Sequence, residues 1–143
     1  IEVYRLYLRI LAGILLGNTD MHLKNFALLY TPQGLRLAPA YDQVAASLYG
    51  YQTLALKIGG TANFSLEKLN AKHILKLGKE FDLNEEVIWM AAQHLAKFKE
   101  AAMEAIVEAP FQEAALKNQL TEIIQKRWNE TFALIGNHLS KKR

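Results

Sequence analysis

Asp20 and Asn25 have four residues between them in GNTDMHLKNFALLY, residues 17 to 30, and His22 and Lys24 fall inside that gap. A second carboxylate, Asp42, closes LAPAYD, 17 positions beyond Asn25. These side-chain types suit phosphoryl transfer, which is mostly positioning and charge neutralisation and so needs few residues in a set arrangement. Asp20 could accept or orient the proton of an attacking hydroxyl. Asn25 and Asp42 offer hard oxygen ligands of the kind that hold Mg²⁺ against phosphates.

Three elements must position this chemistry. Val3, Leu6, Ile10, Leu11, Ile14 and Leu15 recur at helical spacing, which predicts a core-facing helix over 3–16. FALLY (26–30) and LRLAP (35–39) flank TPQG, where Pro32 and Gly34 suit the second and fourth positions of a type I turn. The resulting hairpin would return Asp42 towards Asn25. TLALKIGG (53–60) is a third extended candidate. Beyond it the chain reads as helices: one over 66–79 capped by Ser65, and a second capped by Asp82 or Asn84. Val87, Ile88, Ala91, Leu95, Phe98, Ala102 and Ile106 form one apolar face of that second helix, which Pro110 interrupts. A last helix carries Leu116, Leu120, Ile123, Ile124, Phe132 and Ile135. The expected fold is a single domain over 1–143, mainly α with a small β-hairpin.

In protein kinases the catalytic Asp and the metal-binding Asn share one loop as Asp-x-x-x-x-Asn, and a hairpin leads on to the metal-binding Asp. The same parts occur here in the same order. GNTDMHLKNFALL, LRLAPAYD and LALKIGG together resemble the C-terminal part of HipA-like serine/threonine kinases, the toxins of bacterial type II toxin–antitoxin systems. The resemblance covers residues 17 to 60 in detail and the helical remainder in general character. It implies a protein-kinase-like C-terminal lobe using ATP and Mg²⁺. It implies Asp20 as catalytic base, Asn25 and Asp42 as Mg²⁺ ligands, and His22, Leu23, Lys24, Asn25, Tyr41 and Asp42 lining the nucleotide. It further implies a protein substrate, such as an aminoacyl-tRNA synthetase, and a small helix-turn-helix antitoxin as partner.

Asp-x-His-x-x-Asn is also the pattern of aminoglycoside and phosphoinositide kinases, so a small-molecule or lipid kinase is the competing enzyme reading. No glycine-rich phosphate loop is found, and no strand Lys paired with a helix Glu precedes the catalytic loop. KIGGTANF follows that loop and is the wrong element for the task. Together with the start at Ile1, this gives the expectation that the N-terminal lobe covering ATP is absent from this chain, which would be inactive alone.

Composition narrows the field. A chain of 143 residues is the size of one domain and buries roughly 70% of its unfolded surface. With no cysteine it has neither disulfides nor thiolate metal sites, which suits a reducing cytoplasm. Lys and Arg number 17 against 14 Asp and Glu, part of the excess lies in the terminal SKKR, and no basic stripe suggests direct nucleic-acid binding. The most apolar run, 3–17, carries Arg5 and Arg9 and is too short to span a membrane.

Simpler roles stand beside these. Asp20 and Asn25 are also ordinary cap and turn residues, and Asp42 could cap a short helix from Gln43. His22 could orient the loop or touch phosphate, and Lys24 could bind phosphate or face solvent. His73, His94 and His138 have no partner at metal-ligand spacing and read as structural or exposed. Trp89 and Trp128 read as core or interface residues. The non-enzymatic alternative is a helical interaction module in which the polar joint is structural.

Overall fold

The computed structural model describes residues 1–133. Helix α1 (Glu2–Leu15) crosses the middle of the core on Tyr7, Ile10, Leu11, Ile14 and Leu15. The buried stripe is thus shifted from the expected one. Val3 is exposed and Leu6 only half-buried, because the first turn projects past the core. Tyr7 takes over, reaching across to donate its hydroxyl to the Ile74 carbonyl at 3.0 Å and meeting Phe81 edge to face. Burial raises the Tyr7 pKa, so it is a neutral donor throughout the ordinary pH range.

Strands β1 (Leu28–Thr31) and β2 (Gly34–Leu37) pair antiparallel, Leu28 opposite Leu37 and Thr31 opposite Gly34, with Pro32 and Gln33 in the turn as expected. The hairpin is clamped to α1 by Glu2, whose carboxylate accepts the Leu37 N–H at 2.7 Å and the Arg5 guanidinium at 3.0 Å. The expected strand at 53–60 forms for two residues only. Strand β3 (Thr53–Leu54) pairs with β4 (Phe64–Ser65), and the chain then turns at Gly59-Gly60 beneath a bridge between Ile58 and Thr61. The β content is therefore two small antiparallel pairs, not one hairpin.

Ser65 caps no α-helix; it stands before a 3-10 turn only, and its side chain makes no cap bond. It pairs with Thr53 in the sheet, a short 3-10 turn follows at Leu66–Lys68, and extended backbone at Leu69 ends it. Helix α2 (Ala71–Glu80) starts one step later under Asn70, whose side chain accepts the Lys72 N–H at 3.0 Å. Asn84, not Asp82, caps helix α3 (Glu85–Glu108), accepting the Val87 N–H at 2.9 Å. Only the first third of α3 is core, through Ile88, Ala91 and Ala92; Phe98 and Ala102 of the expected apolar face lie open. Helix α4 (Ala114–Arg127) runs into a π-helical turn at Trp128–Phe132, where the Trp128 and Phe132 rings stack at 5.6 Å. Arg127 ties this end to the core by donating to the Leu66 carbonyl at 2.8 Å. Ile135 and His138 lie outside the described residues.

Helices α2 and α3 meet at Gly78. A Cβ there would lie 2.4 Å from Ile88 Cδ1 and 2.6 Å from its Cγ1, in a fully buried contact. Alanine normally improves on glycine inside a helix by roughly 1 kcal/mol. At this crossing the sign reverses: Gly78→Ala is expected to destabilise by about 1–3 kcal/mol in urea unfolding. A stabilised variant would contradict the packing.

The Leu37 N–H holds the Glu2 carboxyl below its ordinary value of 4.5; desolvation opposes this, and Arg5 and Arg36 reinforce it. A depressed folded-state pKa contributes stability above 4.5 that is lost as pH falls through the folded value. Glu2→Gln should therefore lower stability at neutral pH and converge with the parent chain in acid. Equal stability at neutral pH would show that the clamp is idle.

Candidate active site

The site is built where α1 stops. The Asn18 N–H donates to the Gly13 carbonyl at 2.8 Å and the Gly17 N–H to the Ile14 carbonyl at 3.1 Å, a Schellman closure. Gly17 has φ +72, and a Cβ on it would lie 2.2 Å from Ser47 Oγ, so both conformation and space require glycine. The following residues alternate in burial: Thr19 and Met21 are buried, while Asp20 is exposed. Anchors on both sides thus present the Asp20 carboxylate to solvent, and no other described residue is shown bonded to it.

A 3-10 turn at Leu23–Asn25 then buries Asn25 to 3% exposure. Its backbone N–H donates to the His22 carbonyl at 2.9 Å, and its side-chain Oδ1 accepts the His22 N–H at 2.9 Å. The side-chain Nδ2 donates to Asp42 Oδ2 at 2.6 Å. The hairpin therefore does return Asp42 to Asn25. Amide oxygen and nitrogen are about 2.2 Å apart, so Asn25 Oδ1 lies within about 5 Å of Asp42 Oδ2. Two ligands of one Mg²⁺ sit roughly 3–4 Å apart, so a small rotation would bring both oxygens into range. Asn25 Oδ1 has two lone pairs, and His22 takes one.

Asp42 is held at φ +54, in the left-handed region that Asp tolerates better than most residues. No helix begins at Gln43; the next turn, 3-10 at Ala46–Tyr49, starts after Ala45, so Asp42 is not a helix cap. Strain of this kind, next to a buried amide, is a feature that clusters at functional sites.

Of the other expected residues, Tyr41 is tied in by its hydroxyl, which donates to the Lys24 carbonyl at 2.7 Å. The side chains of Leu23 and Lys24 are exposed beside it. His22 Nδ1 is buried without a described partner. Among the described residues no three His, Asp or Glu side chains cluster as a metal cage.

Residues outside the motif hold the two loops together. Thr19 Oγ1 donates to the Tyr51 carbonyl at 2.6 Å, and the Thr19 carbonyl accepts the Ala55 N–H at 2.9 Å. The Ser47 N–H donates to the Gly17 carbonyl at 3.1 Å. Asn18 Nδ2 faces Gln43 Oε1 at 3.5 Å, and Gln43 Nε2 donates to the Tyr41 carbonyl at 2.9 Å. The only sequence signal for this stitching is the pair Asn18-Thr19, polar residues directly behind an apolar helix.

Residues 1–126 match the family model "HipA-like C-terminal domain". Among curated proteins, the chain is 31% identical over 100 residues to "Putative kinase Y4dM" of Sinorhizobium fredii, covering 68% of this chain and 24% of that protein. It is 45% identical over 49 residues to a "Putative kinase" of Haemophilus influenzae, covering 34% of this chain and 13% of that one. Among solved structures, the fold resembles a chain in the complex of the Shewanella oneidensis MR-1 toxin–antitoxin proteins HipA and HipB with operator DNA. The TM-score is 0.73 at 22% identity, over 94% of this chain and 33% of that one. The chain thus spans about a quarter of Y4dM. No described helix is long and apolar enough to cross a membrane. With the family model matched along most of its length, this chain belongs to the HipA-like C-terminal domain family.

Proposed function

We propose that this chain is the kinase-like C-terminal lobe of a HipA-like enzyme that moves the γ-phosphate of ATP to a Ser or Thr hydroxyl of a protein. The observation that carries the reading is the buried Asn25 in hydrogen-bond contact with Asp42 across a hairpin, with Asp20 exposed five residues before it. In this reading Asn25 Oδ1 and the Asp42 carboxylate hold Mg²⁺, and the ion supplies charge neutralisation at the phosphates. Asp20 would accept the proton that the acceptor hydroxyl loses as its oxygen bonds to the γ-phosphorus and the bond from that phosphorus to the β-phosphate oxygen breaks, releasing ADP. The His22 backbone holds the Asn25 amide and Tyr41 ties the loop through the Lys24 carbonyl, so a small rotation of the amide is all that metal binding would require.

The relatives are several times longer than this chain, so the proposed activity belongs to a longer protein carrying it. The hairpin leaves Leu28, Leu29, Tyr30 and Leu35 exposed, which suits packing against an ATP-covering lobe. A small antitoxin partner, of the sort in the HipA–HipB complex, belongs to the same proposal.

In the protein that carries this chain, Asp20→Ala should lower phosphate transfer by on the order of 10²–10⁴-fold with unfolding unchanged. Labelling at the parent rate would overturn the kinase reading. Expression of that protein without a partner should slow host growth, and Asp20→Ala or Asp42→Ala should restore it. Equal growth of all three strains would contradict the toxin assignment.

A further inference from the structure

Beside Asp20, a pocket of about 360 Å³ opens between the catalytic loop and the segment after Asp42. Thr19 and Asp20 line it from the loop, and Val44, Ala46, Tyr49, Tyr51, Thr53 and Ala55 line it from the later segment. Apart from Asp20 every lining side chain is uncharged, and no Lys, Arg or His faces it. Such a lining has nothing to neutralise a phosphate, a nucleotide or an acidic headgroup. It suits apolar surface, with two broad tyrosine rings, each 69% exposed, available to close over it.

The pocket is also fixed in place relative to Asp20. The Thr19 hydroxyl and carbonyl bond the backbones of Tyr51 and Ala55, so the two segments that line the pocket are joined by hydrogen bonds next to Asp20.

Resting on the kinase reading above, we infer that the pocket is an acceptor subsite for a large apolar or aromatic side chain adjacent to the phosphorylated Ser or Thr. The site would select polypeptides by that neighbour, and would disfavour acidic residues there through the Asp20 charge. Polar hydroxyl compounds such as sugars would leave it unfilled.

The test uses the protein that carries this chain, labelled ATP and Ser/Thr-centred peptides varied at the flanking positions. Label should concentrate in peptides with Leu, Ile, Met, Phe or Tyr beside the acceptor. Ala55→Trp, placed at an exposed position to fill the pocket, should raise KM for those peptides by on the order of tenfold. It should leave KM for ATP unchanged, and change little for peptides with Ala at that place. Thr53→Trp, also exposed, gives an independent second block. Labelling without flanking preference, or a uniform loss across all peptides, would overturn the subsite and leave the kinase reading standing. Label on sugars or lipids but on no peptide would overturn the polypeptide class. No transfer to any hydroxyl would remove the kinase reading, and this inference with it.

Discussion

The 2.6 Å hydrogen bond between the Asn25 amide and the Asp42 carboxylate is the contact on which the rest of the site depends. It closes the hairpin at its base, and it joins a buried residue to an exposed one held at positive φ. Leaving a buried amide unpaired would cost about 1–3 kcal/mol, so in the ligand-free chain Asp42 also satisfies Asn25. A cation bound between them would displace that hydrogen bond, taking Asn25 Oδ1 and the Asp42 carboxylate as ligands. The same two groups thus serve stability without metal and, in the proposed function, coordination with it.

The surrounding fold protects this geometry from both sides. The Schellman closure at Gly17 sets the direction in which the loop leaves α1, and buried Thr19 and Met21 set which side chains face inward. On the other strand of the joint, Ser47, Tyr51 and Ala55 return backbone hydrogen bonds to the loop. Precise placement is what phosphoryl transfer demands of a protein, since an error of about 1 Å at the reacting groups is costly. The clamp from Glu2 to Leu37 extends the same logic to the hairpin, which would otherwise be a marginal two-stranded element.

Much of the site was legible in the sequence because its spacing is local. Asp20 and Asn25 lie on one loop, and a hairpin must bring Asp42 back whatever else the chain does. The stitching was not legible, since Tyr51 and Ala55 take part through backbone groups that every residue carries. Helix starts divided in the same way. Asn84 was readable from its position, but Ser65 was misread because pairing with Thr53 overrides its capping preference. Tyr7 was missed in the stripe of α1 because a polar-tipped ring counts as core only when a partner such as the Ile74 carbonyl is in reach. On α3 the periodic pattern continued beyond the core, and periodicity alone does not say what covers an apolar face.

The most direct test of the central claim is paramagnetic broadening of the Asn25 side-chain amide by Mn²⁺ with ATP, in the protein that carries this chain. The account predicts selective loss of that amide signal, with neighbouring resonances of the loop weakened and distant core signals intact. Asp42→Asn should largely abolish the effect. An Asn25 signal unchanged while Mn²⁺ and ATP bind the protein would contradict the assignment of these two residues as the metal site.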